Sequence, residues 1–429
     1  MAWVAASVLA ASLAGPGLGT AAAEPVAWVV HTRTTAHAEA VARDAGAVPD
    51  ETYGPVAGFT ARLTPAQLGE VRAHPGVLGL EPDRAFAPLE PRPLRALRDP
   101  ASSAASDEAA APTANWGLDR IDQRFLPLDG REGTRATGAG VTIYVLDTGV
   151  DTTHPEFGGR ARLGTDVVDP RAASDSEYGT RAADTASGAT SDGPSDSTSD
   201  SASDAGADAG SGTDAASGDC DGHGTVVAGI AASRDYGVAP GAQVRSVKVL
   251  DCNGVATLSS LLAGIDWVSR HAQHPAVAVM SWSFGESATL EAAVRGLVDG
   301  GVFVAASAGN TGDDDCEALP RAVPGVLVVA SSTDDDRRAT TSSTGPCVDV
   351  YAPGASIVST TPGGGTEAWS GTSMAAPHAA GVAALYKQRY GDAPSAVVEQ
   401  WIIGHATRNV VRGGDADGTP DRLLYAGDL

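Results

Sequence analysis

Two different rhythms of apolar and polar positions divide this chain. From residue 24 to about residue 86, short apolar stretches alternate with polar ones. "VAWVVHT" reads as a strand, "AHAEAVARDAGA" as a helix and "PVAGFTARLT" as a strand; "PAQLGEVRAHPG" follows as a second helix and "VLGLEPD" as a closing strand. This pattern predicts a small α+β unit, too short to hold a catalytic core of its own. From about residue 115 the apolar runs become continuous: "VTIYVLD", "VRSVKVL", "AVAVMSWS", "GVFVAASAG" and "GVLVVASS". Between and after them come helical patterns, "LSSLLAGIDWVSRHA", "TLEAAVRGLVDG" and "SMAAPHAAGVAALYKQRY". Strands apolar on both faces, alternating with helices, predict an α/β fold whose mostly parallel sheet is covered on both sides. In such sheets the reactive crevice lies beyond the carboxyl ends of the strands.

Three stretches follow neither rhythm. Residues 87–114, rich in Pro, Ala, Ser and Arg, read as a linker open to proteolysis. Residues 169–219 set eleven acidic residues against Arg171 and Arg181, and within them "SDGPSDSTSDSASDAGADAG" places Asp at every fourth position. A run with so little to bury is expected to be a disordered insertion in the larger domain, 115–429. The opening "MAWVAASVLAASLAGPGLGTAAAEP" has a short apolar core ending in small residues, so residues 1–23 are expected to be an export signal. No later apolar run reaches the roughly 20 residues a bilayer crossing needs.

Charge narrows the partners. The chain has 429 residues and a formal net charge of −24, which argues against binding nucleic acid or an anionic membrane surface. Four cysteines (Cys220, Cys252, Cys316 and Cys347) in an exported chain suggest two disulfides, with three connectivities open from counting alone. None is arranged as C-x-x-C, so a structural zinc site is not expected.

Three reactive side chains stand where a strand or loop meets a helix. Asp147 ends the strand in "TIYVLDTGVD", His223 sits between glycines at a helix start in "DGHGTVVAG", and Ser373 opens a helix in "SGTSMAAPHAAG". Alone, each has a plain structural explanation, a turn carboxylate or a helix cap. Together they supply what acyl transfer needs: a serine made nucleophilic by an imidazole base, which a carboxylate holds in one tautomer. Asn310, in "FVAASAGNTG", adds a side-chain amide that can donate to an oxyanion together with the backbone N–H of Ser373. An α/β-hydrolase esterase would need G-x-S-x-G, whereas the chain reads G-T-S-M-A around Ser373 and A-A-S-A-G around Ser307.

The blocks "VLDTGVDTTHPEF", "DGHGTVVAGI", "AASAGN" and "GTSMAAPHAAG" resemble the signatures of the subtilisin-like serine proteases, in particular the proteinase K group and its aqualysin-like branch. "NWGLDRIDQRFLPL" and "RLLYAGDL" are also similar to that branch. The resemblance implies a secreted, monomeric serine endopeptidase acting on proteins and peptides, with Asp147, His223 and Ser373 as charge stabiliser, base and nucleophile and Asn310 as oxyanion donor. It implies that residues 24–86 are an inhibitory, chaperone-like propeptide, with the mature chain beginning near residues 105–114. It further implies the pairings Cys220–Cys252 and Cys316–Cys347. Structural calcium is implied at the Pro324 and Val326 carbonyls with Asp349, and at Asp119, Asp122, Gln123 and Asp129, where Arg131 replaces a neutral ligand. Substrate would add as a strand between Gly254, Val255 and Ala256 on one side and Ser281, Trp282 and Ser283 on the other. Ala256, Ser283 and Phe284 replace family glycines, which predicts a narrower cleft and restricted specificity; Val226 replaces a family histidine without expected catalytic cost.

Overall fold

The computed structural model describes residues 25–86, 115–131, 133–168 and 218–429. The expected leader, the linker 87–114 and the acidic insertion up to residue 217 lie outside the described residues.

The first unit runs β1 (Val26–Thr32), α1 (Thr35–Asp44), β2 (Pro49–Tyr53), β3 (Gly58–Leu63), α2 (Pro65–Ala73) and β4 (Val77–Pro82). Its sheet is antiparallel in the order β2-β3-β1-β4. Thr64 caps α2 with a reciprocal bond to Gln67, which fixes where that helix begins. Val30, Val41, Phe59, Leu63 and Val71 fill a separate small core between sheet and helices. β2 was not expected from the sequence. Its "PDETY" is mostly exposed along an edge of the sheet, so it carries no apolar alternation to read. A two-residue strand, β5 (Ala85–Phe86), leaves this unit and pairs outside it.

The second unit begins with α3 (Trp116–Asp122), β6 (Thr142–Asp147), β7 (Ala161–Asp166), α4 (His223–Ala232), β8 (Gln243–Lys248) and β9 (Ala256–Thr257). It continues with α5 (Leu258–His271), β10 (Ala276–Met280), α6 (Ala288–Asp299), β11 (Phe303–Ser307), β12 (Val326–Ser332) and β13 (Val350–Pro353). β14 (Ile357–Thr361) and β15 (Gly365–Trp369) form a hairpin, followed by α7 (Thr372–Tyr390), α8 (Ser395–His405), β16 (Thr407–Arg408) and β17 (Arg422–Leu423).

The main sheet has the order β16-β17-β13-β12-β11-β10-β6-β8-β7, with every neighbouring pair parallel except β16 and β17. Alternation along the strands divides the interior into two layers. Ile143, Val145, Val277 and Val279 pack with α4 and α7, whereas Tyr144, Leu146, Ala278 and Met280 pack with α5 and α6. This is the predicted α/β arrangement, helices on both faces of a mostly parallel sheet. Both implied disulfides form, Cys220–Cys252 and Cys316–Cys347, with Cα separations of 5.0 and 5.5 Å. Among the described residues no helix is long and apolar enough to cross a membrane.

Candidate active site

β6 drives its last residue, Asp147, fully out of solvent at the carboxyl edge of the sheet. His223 is the first residue of α4, and its Nδ1 lies 2.7 Å from Asp147 Oδ1, which also accepts the Thr148 N–H at 2.8 Å. A carboxylate oxygen accepts, so in this bond His223 Nδ1 carries the proton and donates. This leaves Nε2 as the ring's basic atom. Burial opposes charge on His223, but the adjoining Asp147 carboxylate, its hydrogen bond and the charges of Asp221 and Asp219 outweigh it, pushing the imidazole up to about 9. Gly224 allows the approach: a Cβ there would collide with the Gly149 carbonyl and crowd Asp147.

Asp219 secures the turn that delivers His223. Placed by sequence at the end of the disordered acidic run, it is instead fully buried. Its Oδ1 accepts from Thr148 Oγ1 and Gly222 N, both at 2.9 Å, and its Oδ2 accepts from the N–H and hydroxyl of Thr225. One carboxylate thus joins the residue after Asp147 to the N-terminus of α4. Composition concealed this, because Asp219 directly follows a run of the same acidic composition with almost no large apolar side chains. The signal that would separate it is adjacency to Cys220 and to the helix start.

The nucleophile candidate stands at another helix start. Gly371 precedes α7 with φ +142°, a conformation that favours glycine, and Ser373 is the second residue of the helix, 2% exposed. Its N–H belongs to the first turn, which has no intrahelical acceptor. Asn310 Oδ1 accepts from Thr372 N at 2.9 Å and from Thr372 Oγ1 at 3.2 Å, so the donor side of the amide is Nδ2. Ser373 Oγ donates to the Ser281 carbonyl at 3.3 Å, while Ser281 Oγ donates back to the Ser373 carbonyl at 3.2 Å. The structure therefore assembles Asp147 with His223, and Ser373 with Asn310 and Ser281. The T-shaped contact of Trp369 with the His223 ring, at 6.2 Å, flanks the base on the side of the hairpin that leads into α7.

The cleft edge predicted at Gly254, Val255 and Ala256 is held by Asp251, whose carboxylate accepts the N–H groups of Asn253 and Val255 at 2.8 and 2.9 Å. β5 lies on this edge as an antiparallel strand, Phe86 opposite Ala256 and Ala85 opposite Thr257. Phe86 meets Phe284 with ring centroids 4.0 Å apart. On the opposite edge Ser281 faces Ser373 as described and Ser283 Oγ accepts from Arg321. Trp282 lies on the expected edge by its backbone, while its indole is buried and donates to the Leu146 carbonyl at 3.0 Å, so the side chain packs in the core. Val226, also noted in the sequence, is fully buried on α4.

Residues 138–424 match the subtilase family. The chain belongs to the subtilase family. This subtilase is 38% identical over 371 residues to alkaline serine exoprotease A of Vibrio alginolyticus, covering 86% of this chain and 59% of that protein. It is 37% identical over 386 residues to the extracellular serine proteinase of Thermus sp. strain Rt41A, covering 89% and 78% respectively. A solved structure, that of a cold-adapted subtilisin-like serine proteinase, superposes with a TM-score of 0.61 at 40% identity, covering 72% of this chain and 97% of that one.

The two implied calcium sites in this subtilase differ in fit. Asp349 is a half-buried carboxylate that accepts the Val328 N–H at 2.9 Å; burial, against the influence of that bond, pushes its acid up to about 7. A carboxylate whose charge is this unfavourable suits a hard cation, and the Pro324 and Val326 carbonyls are the neutral donors the family implies beside it. In the second set the acceptors are taken up by backbone donors. Asp119 accepts the N–H groups of Asp129 and Gly130, Asp122 that of Gly133, and Asp129 that of Arg131. Gln123 Oε1 also takes the Asp129 N–H. These acceptors fold the 129–133 turn, with Asp119 and Gln123 sharing the Asp129 N–H; among the described residues no group of three or more His, Cys, Asp or Glu is placed to hold a metal.

Proposed function

We propose that this subtilase is a secreted serine endopeptidase that hydrolyses peptide bonds through an acyl-enzyme, made as a zymogen whose residues 24–86 cover the cleft until autoprocessing in the linker. The observation that carries the reading is the buried Asp147–His223 pair on the same strand edge as a helix-starting Ser373 beside Asn310.

The chemistry follows from the atoms. Ser373 Oγ leaves the Ser281 carbonyl, gives its proton to His223 Nε2 and bonds to the substrate's carbonyl carbon. Asn310 Nδ2 and Ser373 N–H donate to the oxygen as it becomes negative, while Asp147 stabilises the imidazolium through Nδ1–H. Collapse breaks the C–N bond, the amine leaves with the proton from His223, and the acyl group remains on Ser373. Water, deprotonated by His223, then releases the acid and restores the serine.

The zymogen reading is supported by where the first unit sits. β5 occupies the strand position a substrate would take on β9. Glu81 accepts from Thr289 N and Oγ1 at 3.0 and 2.6 Å, and Asp83 from Ser259 N and Oγ at 3.0 and 2.7 Å. Those residues lie in the first turns of α6 and α5, where exposed N–H groups favour anions. Secretion is supported by the paired cysteines and by the extracellular designation of the Thermus relative. Calcium is proposed at Pro324, Val326 and Asp349 alone. Labelling with a fluorophosphonate, read by mass spectrometry, tests the whole reading: Ser373 acquires the tag and casein hydrolysis stops with it. Continued proteolysis and normal maturation in a Ser373→Ala variant would overturn it.

A further inference from the structure

We propose that the Cys220–Cys252 disulfide is a thiol-exchange site, opened by a dithiol reductant with Cys220 as the leaving sulfur, and that its opening weakens substrate binding. The consequence for activity rests on the peptidase reading above; the exchange chemistry does not.

The two ends of this bridge differ. Cys252 is exposed, whereas Cys220 is half-buried. Lys248, the last residue of β8, is itself buried, and its Nζ donates to the Thr148 carbonyl and lies 3.6 Å from Cys220 Sγ. An ammonium is thus fixed beside one sulfur while solvent reaches the residue that carries the other. Exchange is faster when the departing sulfur is the better-stabilised anion, and a neighbouring lysine stabilises a thiolate. Attack at Cys252 Sγ meets both conditions. The attacking thiolate bonds to Cys252 Sγ as the bond between the two cysteine sulfurs breaks, and the electron pair leaves on Cys220 Sγ beside Lys248. The reductant's second thiol, on losing its proton, then attacks the reductant sulfur of the mixed disulfide. It departs as a cyclic disulfide and expels Cys252 as a thiolate. The two cysteine sulfurs gain two electrons and the two reductant sulfurs lose them.

The other bridge offers no such exit. Cys316 and Cys347 are both half-buried, and the Cys316 N–H donates to Asp314 Oδ1 at 3.0 Å. A Cβ on Gly345 would collide with both that carboxylate oxygen and Cys316 Sγ, so the two crowd the same point. A carboxylate there disfavours the thiolate that Lys248 favours at Cys220.

The first bridge also joins two turns that the cleft needs together. Cys220 follows Asp219, whose four hydrogen bonds set the turn before His223. Cys252 follows Asp251, which leads into the edge Gly254, Val255 and Ala256. The Asp219 turn is tied to α4 and to Thr148 without the bridge. Residues 251–255 are bonded to one another instead: Asp251 N–H to the Val255 carbonyl, Gly254 N–H to the Asp251 carbonyl, and the Asp251 carboxylate to Asn253 and Val255. Opening the bridge therefore frees the substrate edge and leaves the base in place. A substrate strand must then order that edge as it adds, which weakens binding more than chemistry.

Mature enzyme treated with dithiothreitol without denaturant, alkylated with iodoacetamide and read by mass spectrometry, tests the exchange; peptide p-nitroanilide kinetics test its effect. Cys220 and Cys252 should be alkylated while Cys316 and Cys347 remain paired. KM should then rise at least tenfold with kcat changed less than threefold, and reoxidation should reverse the rise. The pair Cys220→Ser and Cys252→Ser should show the raised KM with or without reductant. Lys248→Met should slow opening at least tenfold, and Lys248→Arg should slow it less. Opening of Cys316–Cys347 first, opening of Lys248→Met at the parent rate, or an unchanged KM in the opened enzyme each overturns the proposal. Absence of peptide turnover before reduction, with Ser373 unlabelled, overturns the peptidase reading, and the alkylation pattern still decides the exchange site.

Discussion

His223 Nδ1 and Asp147 Oδ1 are 2.7 Å apart in a site where neither side chain meets much water, and among the described residues nothing bonds Asp147 Oδ2. The carboxylate's charge is therefore directed largely at the imidazole, which accounts for its raised basicity. The base works only when neutral, so kcat/KM should climb with pH through a transition well above the ordinary histidine value, toward about 9. A pH–rate profile on an uncharged substrate checks this. Stability should move the other way. The folded imidazole holds its proton more tightly than the unfolded one, so its contribution is complete below about pH 6.5 and is lost as pH rises through about 9.

Asp147→Asn keeps the shape but offers an amide that no longer fixes the donor at Nδ1. A fall in kcat of about 10⁴-fold is expected, with KM changed far less. Steady-state kinetics on a labelled-active-site basis gives the split, and a fall under tenfold would refute the assigned role.

Asp219 accepts four hydrogen bonds in a fully buried position. Asp219→Ala would leave Thr148, Gly222 and Thr225 donors without their acceptor in the interior, a cost of about 3 kcal/mol or more. Thermal unfolding should show that loss. Since the same bonds set the start of α4, the folded fraction should also show a reduced kcat.

Much of this was readable beforehand, for physical reasons that also explain the gaps. Asp147 and Asn310 stand where apolar strands stop and His223 and Ser373 where helical patterns begin, so a reactive residue there marks the edge of a strong pattern. The hairpin of β14 and β15 and the edge strand β2 have no such pattern, because β14 buries the polar Ser359 and Thr360 while β15 and β2 are mostly exposed. Asp219 was missed because its role is tertiary, and it sits beside acidic residues of unrelated character. Trp282 keeps its place on the edge through its backbone, and its side chain turns inward because the Leu146 carbonyl satisfies the indole there.

Asn310→Ala removes one oxyanion donor and the acceptor for Thr372. A loss of 10²–10³-fold in kcat is expected, about 3–4 kcal/mol, a magnitude measured in a subtilisin and carried over to this relative. KM should change little, because the contact strengthens only as charge develops on the oxygen. Equal losses in kcat and binding of a substrate-like inhibitor would contradict that assignment.

Glu81 and Asp83 place carboxylates on the first turns of two neighbouring helices of the catalytic unit. Each such cap contributes about 1 kcal/mol, and the two positions are separate enough to add. The polypeptide 24–86, added to mature enzyme, should inhibit it. The pair Glu81→Ala and Asp83→Ala should weaken that inhibition about 30-fold. The effect should shrink in high salt, since a carboxylate facing a helix terminus is screened at the partly exposed interface. Inhibition constants for single and double variants at two salt concentrations give both numbers.

Asp349 is the one carboxylate of the proposed calcium set, and its partial burial disfavours the charge a cation would need. Binding must therefore bring the ion and release the proton together. Chelation should lower the thermal midpoint of the mature enzyme, and added calcium should restore it with an apparent affinity that improves from pH 6 to pH 8. Asp349→Asn supplies a neutral side chain of the same size, so its midpoint should no longer respond to calcium while Ser373 still takes the fluorophosphonate. If the midpoint of Asp349→Asn rises with calcium as far as that of the parent enzyme, the ion binds elsewhere.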